Sequence, residues 1–183
     1  MKDYYIEYKP FLIFLAKFFG TYLLLTLVYQ TYLGTYDVKK FEVDGVTQLV
    51  AQNTKQLLTL VDSQSYTKPN LTEPCVNLYY HDTWVARIIE GCNALSVMIL
   101  FVSFIVAFSG KFKTTLIYII TGVILIYFFN VLRIALLCMA VFHFKQYKEV
   151  LHDVIFPLFI YGIVFILWII WVNKFSEYAK NKV

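Results

Sequence analysis

Charge is what this sequence has least of. Only 15% of its 183 residues are charged, 12 acids against 16 lysines and arginines. A soluble domain carries about a quarter charged residues, so this chain cannot surround itself with a water-facing surface. The net charge of +4 comes from lysines in short clusters beside apolar runs, with no basic stripe, so no nucleic-acid partner is expected. Cysteine is scarce as well. Cys75, Cys92 and Cys138 stand in three unrelated settings and make neither a disulfide framework nor a C-x-x-C metal spacing. H-E-x-x-H and acid-rich ligand motifs are missing, so no cofactor and no metal are expected. What remains is apolar: 60% hydrophobic and 19% aromatic, with a mean hydropathy of +0.64. Membrane lipid is therefore the expected surrounding of this chain.

Pro10 to Leu33 is an apolar segment, with Lys17 inside it, long enough for a span of about 20 residues. A signal peptide is the rival reading. The segment exceeds the usual apolar core of about 7–15 residues, and no A-x-A-like site follows it, so a retained helix is expected. Residues 34–88 form the one sizeable polar region. Within it Asp44-Gly45 is a break. Val46, Leu49, Val50, Leu57, Leu60 and Val61 then fall at helical spacing, which predicts an amphipathic helix on the membrane surface or on the spans. Ser63 to Pro74 reads as loop, and Thr83 to Ile89 as the lead-in to the next helix.

Three further apolar runs follow. Cys92–Phe108 is the first, and Thr114–Phe142 follows the turn Gly110-Lys111-Phe112-Lys113. Fully helical, that second run would reach about 43 Å, too long for a hydrocarbon core of about 30 Å. The expected fold is thus an all-α integral membrane protein in one domain, residues 1–183. Its spans lie at about 10–33, 92–109, 114–132 and 154–172. An amphipathic helix belongs to the extracytoplasmic segment at about 34–91, and a bent or interfacial helix follows the third span at about 133–153. The 34–91 segment holds five basic and seven acidic residues, whereas the 110–113 turn carries two lysines without an acid, and the tail adds Lys174, Lys180 and Lys182. The positive-inside rule then puts both termini in the cytoplasm.

That topology has a chemical consequence. Cys92 sits at the outer end of the second span. About 19 residues at 1.5 Å carry the third span from Thr114 back to the outer face, at Arg133. His152 opens the fourth span from the same side. A thiol, a guanidinium and an imidazole at one depth form a nucleophilic set. The imidazole takes the thiol proton, while the guanidinium stabilises a developing oxyanion and lowers the thiol pKa. The plainer alternatives are a small buried cysteine, an arginine snorkelling to the interface and an ordinary interfacial histidine. His143 competes with His152 from the same loop, and His81 is a third, exposed candidate. Arg133 nevertheless lies inside an acid-free apolar run, where an ionisable group points to function. Glu90, Asn93 and Asn130 are secondary, substrate-binding candidates. Asp153, about 100° from His152 on an α-helix, reads as an interfacial acid or N-cap. Cys75 and Cys92 lie on the same side and are expected to stay unpaired.

The order Glu90-Gly91-Cys92-Asn93-Ala94, then Asn130-Val131-Leu132-Arg133-Ile134, then His152 ahead of an aromatic-rich span, resembles the exosortase/archaeosortase family. The length and the single span before the outer segment are most similar to the compact exosortase F group of Bacteroidetes. The resemblance covers roughly residues 85–173. It implies a membrane-embedded cysteine protease or transpeptidase in the bacterial inner membrane, facing the periplasm, with Cys92 as nucleophile, Arg133 beside it and His152 as general acid/base. The substrates it implies are exported proteins whose C-terminal sorting signal joins a short motif, a transmembrane helix and a basic cluster. Cleavage passes through a thioacyl intermediate resolved by water or an amine. Larger relatives have more spans, which leaves room for an accessory membrane protein. Two alternatives remain: a non-catalytic assembly or transporter subunit in which Arg133 pairs with Glu90 or Asp153, and a different intramembrane enzyme such as a metalloprotease.

Overall fold

The chain turns its apolar runs into long helices and its polar stretch into a small cap. This computed structural model describes residues 2–61, 64–108 and 110–176, without the side chains of 2–7 and 38, so Lys180 and Lys182 lie outside the described residues. Helix α1 runs from Lys2 to Leu33. After a 3-10 turn at Val38–Lys40, α2 covers Gly45–Val61. Three strands follow, β1 (Ser65–Pro69), β2 (Val76–Tyr80) and β3 (Thr83–Ile88). Then come α3 (Leu95–Ala107), α4 (Phe112–His143) and α5 (Phe156–Ile170). Helical winding leads into α5 from Lys148 and continues past it to Phe175.

Three helical stretches are long and apolar enough to cross a membrane: Tyr8–Leu33, Phe112–His143 and Lys145–Phe175. The expected second span, at about 92–109, is helical only over Leu95–Ala107, 13 residues, or about 20 Å. Its start is delayed by the turn that carries Cys92. Ala94 adopts a left-handed backbone, φ 62°, which costs a non-glycine residue about 1–2 kcal/mol. Asn93 holds that turn by accepting the Leu95 N–H through Oδ1 at 2.9 Å.

Two expectations change. Residues 63–74 and 83–89 were read as loop and helix lead-in, yet β1, β2 and β3 form an antiparallel sheet in that order. β2 and β3 are joined by His81-Asp82, both with positive φ (48° and 56°). That is the backbone of a tight two-residue hairpin, for which Asn-Gly is the usual signal. His-Asp gives no such warning. The second change concerns α4. Its helical winding continues past residue 132 to His143, about 48 Å in all against a core of ~30 Å, with no break where a bend was expected.

The excess length is buried in protein. Val131, Ile134, Ala135 and Cys138 on α4 share a core with Val50 and Leu58 of α2 and with Leu78, Val85 and Ile88 of the sheet. An apolar helix end leaving the bilayer needs a cover, and the cap supplies one. This also places α2, the expected amphipathic helix, against α4, where Asn53 donates to the Tyr127 hydroxyl at 2.7 Å. Asp44 caps α2 by accepting from Val46 and Thr47 N–H at 3.1 and 2.9 Å. The other half of the bundle has its own core of α3, α4 and α5, built on Phe101, Ile105, Ile126, Ile160, Val164 and Trp171. Tyr118 donates to the Leu167 carbonyl at 2.6 Å and Trp171 to that of Phe108 at 3.0 Å.

The tightest approach in that core is between α3 and α4, where Gly122 faces the fully buried ring of Phe101 so closely that a Cβ would overlap it. Gly122→Ala should lower stability by about 1–3 kcal/mol, read as a lower unfolding midpoint in detergent. Adding Phe101→Leu should recover part of the loss. An unchanged midpoint in Gly122→Ala would show that the two helices are not packed this way.

Candidate active site

Cys92 ends a 3-10 turn, Glu90–Cys92, that follows β3 directly. The turn is pinned on both sides. Asn130 on α4 donates from Nδ2 to the Cys92 carbonyl at 2.8 Å. Asn93, 1% exposed, donates to the Tyr29 hydroxyl at 3.1 Å and to Thr47 Oγ1 at 3.2 Å. Tyr29 in turn donates to Glu90 Oε1 at 2.8 Å. A buried polar network whose members are satisfied specifies one arrangement, and here it joins α1, α2 and the turn.

Arg133 lies three residues after Asn130, on the same side of α4. Its Nε is buried and has no hydrogen-bond partner. Arg133 forms no ion pair with Glu90 or Asp153, which are bonded to Tyr29 and His152. The pairing that the non-catalytic alternative calls for is therefore not the one formed.

His152 sits in a π-helical turn, Leu151–Ile155. Its Nδ1 is 2.6 Å from Asp153 Oδ1, and both side chains are more than 60% exposed. Asp153 was expected to point elsewhere. The difference comes from Pro157, which has no N–H for the Asp153 carbonyl and whose ring crowds it. The preceding turn widens, with Phe156 N–H bonding Leu151 O, so consecutive side chains diverge less than on an α-helix. With the carboxylate as acceptor, Nδ1–H is the donor of this pair, which in a neutral ring leaves Nε2 as the acceptor.

Cys92, Arg133 and His152 line one cavity of about 470 Å³, together with Asn130, Lys148, Tyr161 and β3 from Trp84 to Ile88. Asn130 is thus at the cavity and also holds the backbone of Cys92. Glu90 and Asn93 do not line it; their hydrogen bonds hold the turn from behind. Of the three histidines, His152 alone lines it. His143 packs beside Phe142 and Phe144, and His81 bonds Gln64 Oε1 and stacks on Phe142. Lys148 lies 5.7 Å above the Trp84 ring. Lys148 and Tyr161 were not singled out from the sequence, since one is a lysine in a polar patch and the other one aromatic among many. Pro157, four residues after Asp153, was the available signal for the widened turn. The described residues include no cluster of three His, Cys, Asp or Glu side chains suited to a metal. All three cysteines are free. Cys75 lines a separate recess with Glu90 and Gly91, and burial raises its thiol pKa.

The family model described as "Transmembrane exosortase (Exosortase_EpsH)" matches residues 12–174 of this chain. No curated protein and no solved structure matches it.

Cys92 is half-buried, whereas Cys75 and Cys138 are fully buried. Because the thiolate is the reactive form, burial, which raises the Cys75 thiol pKa, slows that thiol. Maleimide should therefore modify the native protein once, at Cys92, and Cys92→Ala should remove nearly all labelling. Rapid labelling of Cys75 in the folded protein would contradict this arrangement.

Proposed function

The chain belongs to the transmembrane exosortase family, and from that premise we propose that it is a membrane-embedded cysteine protease or transpeptidase acting on the C-terminal sorting signals of exported proteins. One observation carries the reading: a single cavity is lined by Cys92, Arg133 and His152, drawn from three separate elements. In the proposed reaction Nε2 of His152 takes the Sγ proton, and the thiolate attacks the carbonyl carbon of the scissile bond. Arg133 holds the oxyanion, which gives its partnerless Nε an acceptor. Collapse breaks the C–N bond, and the imidazolium returns its proton to the departing amine. The thioester on Cys92 is then attacked by water or by an amine-bearing acceptor, which releases the acyl group and restores the thiol. Asp153 orients the imidazole through Nδ1.

We assign the chain to the compact exosortase F group on the placement of its motifs around Cys92, Arg133 and His152. It works as one membrane-embedded domain in the bacterial inner membrane, with the Cys92 end facing the periplasm and both termini in the cytoplasm. The lysine distribution supports this orientation. An accessory membrane protein fits the small number of spans. Asn130, Asn93 and Glu90 act mainly by holding the nucleophile's turn, with Asn130 also within reach of substrate.

The test is cleavage in cells of an exported reporter carrying such a signal, with intact mass recorded for the enzyme. Cys92→Ala should abolish both cleavage and a covalent adduct. Arg133→Lys keeps the charge but loses the fork, and should slow cleavage by about 10²–10³. His152→Ala should cost about 10²–10⁴. Asp153→Asn should cost less, about tenfold, because water screens an exposed pair, and should change the pH profile. Full cleavage by Cys92→Ala would sink the proposal.

A further inference from the structure

β3 is an edge strand of the sheet, with β2 on one side and, among the described residues, no strand on the other. Alternate residues of a strand point to opposite faces, so a cavity against one face would meet every second residue. Trp84 to Ile88 line the cavity that holds Cys92; the pairing with β2 slips at Val85, and beyond that bulge the three consecutive, regularly paired residues Ala86, Arg87 and Ile88 all line it. A cavity that meets both parities lies along the edge of the strand. Among the described residues, no hydrogen bond other than those of the sheet itself reaches the backbone of 84–88. An open edge is a row of main-chain donors and acceptors that native proteins usually cover or disrupt. This one opens beside a nucleophile four residues further along the chain.

We propose that the substrate binds by strand addition: the extended segment immediately before its membrane helix pairs with the free edge of β3 as a fourth strand, parallel to it. The occupant is an unfolded peptide, because only main chain matches main-chain groups at strand spacing. Polar complementarity agrees. The cavity carries Arg133 and Lys148 and no carboxylate among its lining residues, and Arg133 Nε lacks an acceptor, which a carbonyl of the paired peptide supplies. Arg87 is already held by Glu73 at 2.6 Å. The direction follows from continuity. β3 leads through the Cys92 turn into α3, just as the substrate segment leads into its own membrane helix. Parallel pairing therefore brings the residues nearest that helix to Cys92. Such pairing reads backbone more than side chain, and accommodates varied motifs of the right length.

The inference rests on the proposed function, and its test separates the two. The probe is an exported reporter domain ending in a short motif, a membrane helix and a basic cluster, co-expressed with the full-length enzyme. Proline is placed in turn at each position of the motif and compared with alanine. Pairing predicts a two-residue period: cleavage falls about tenfold where the lost N–H faced β3 and changes less than twofold at the positions between. In a second arm, a photo-crosslinking residue replaces Trp84 or Arg87 in the Cys92→Ala enzyme, with exposed Leu71 as control. Trp84 should capture the motif farther from the reporter's membrane helix than Arg87 does, and Leu71 should capture nothing. Cleavage of the unmodified reporter with no two-residue period, or with crosslinks confined to its membrane helix, overturns strand addition and leaves the cysteine mechanism standing. The reverse crosslink order overturns the parallel direction. If the unmodified reporter is not cleaved while the motif still crosslinks to β3, the catalytic reading fails instead.

Discussion

A helix longer than the membrane is thick is the constraint on which the rest of this protein depends. α4 is 32 residues of nearly uniform apolar character, about 48 Å against a core of ~30 Å. Left in water, its C-terminal third would expose a large apolar stripe. The polar segment between α1 and α3 meets that need by folding into a helix and a three-stranded sheet over Val131, Ile134, Ala135 and Cys138. The cap and the bundle are thus two covers of one helix, and the seam between them is where polar groups gather.

That seam explains the site. Asn130 and Arg133 lie at the level where α4 passes from bundle to cap, and each answers a different need. Asn130 satisfies the carbonyl of Cys92, which a turn delayed by a left-handed Ala94 leaves without a helical partner. Arg133 keeps a buried Nε without a partner. A buried donor left unmade costs about 1–3 kcal/mol, and in the proposed reaction the oxyanion is its acceptor. On the other wall, Pro157 widens a helical turn and so lets Asp153 reach its neighbour His152. The turn that carries Cys92 is held by Tyr29, Thr47, Asn93 and Asn130, whereas His152 stands more exposed on its pair with Asp153.

Much of this was legible in the sequence. The apolar runs announced the membrane, and the lengths between charge clusters brought Cys92, Arg133 and His152 to one end of the bundle by arithmetic at 1.5 Å per residue. The strands were not legible. β1 and β2 are five residues each, and the hairpin turns on His81-Asp82, which lacks the glycine or asparagine that marks such turns. The continuity of α4 was equally hidden, because the length argument that forbade a straight span assumed lipid or water at both ends and did not foresee a protein cover.

What the sequence determined by itself was therefore whatever depends on composition and rise per residue: membrane class, which apolar runs become helices, and which reactive groups gather at one cavity. These follow from transfer free energies and helix geometry, which need no partner. Only the tertiary structure decided what depends on contact between distant segments. It made β3 an open edge along the cavity, turned Glu90 and Asn93 toward Tyr29 and Thr47, bound Asn130 to Cys92 and set Asp153 against His152. Each is a hydrogen bond or an unmade one, directional and short-ranged, and no period along a chain encodes which donor will meet which acceptor.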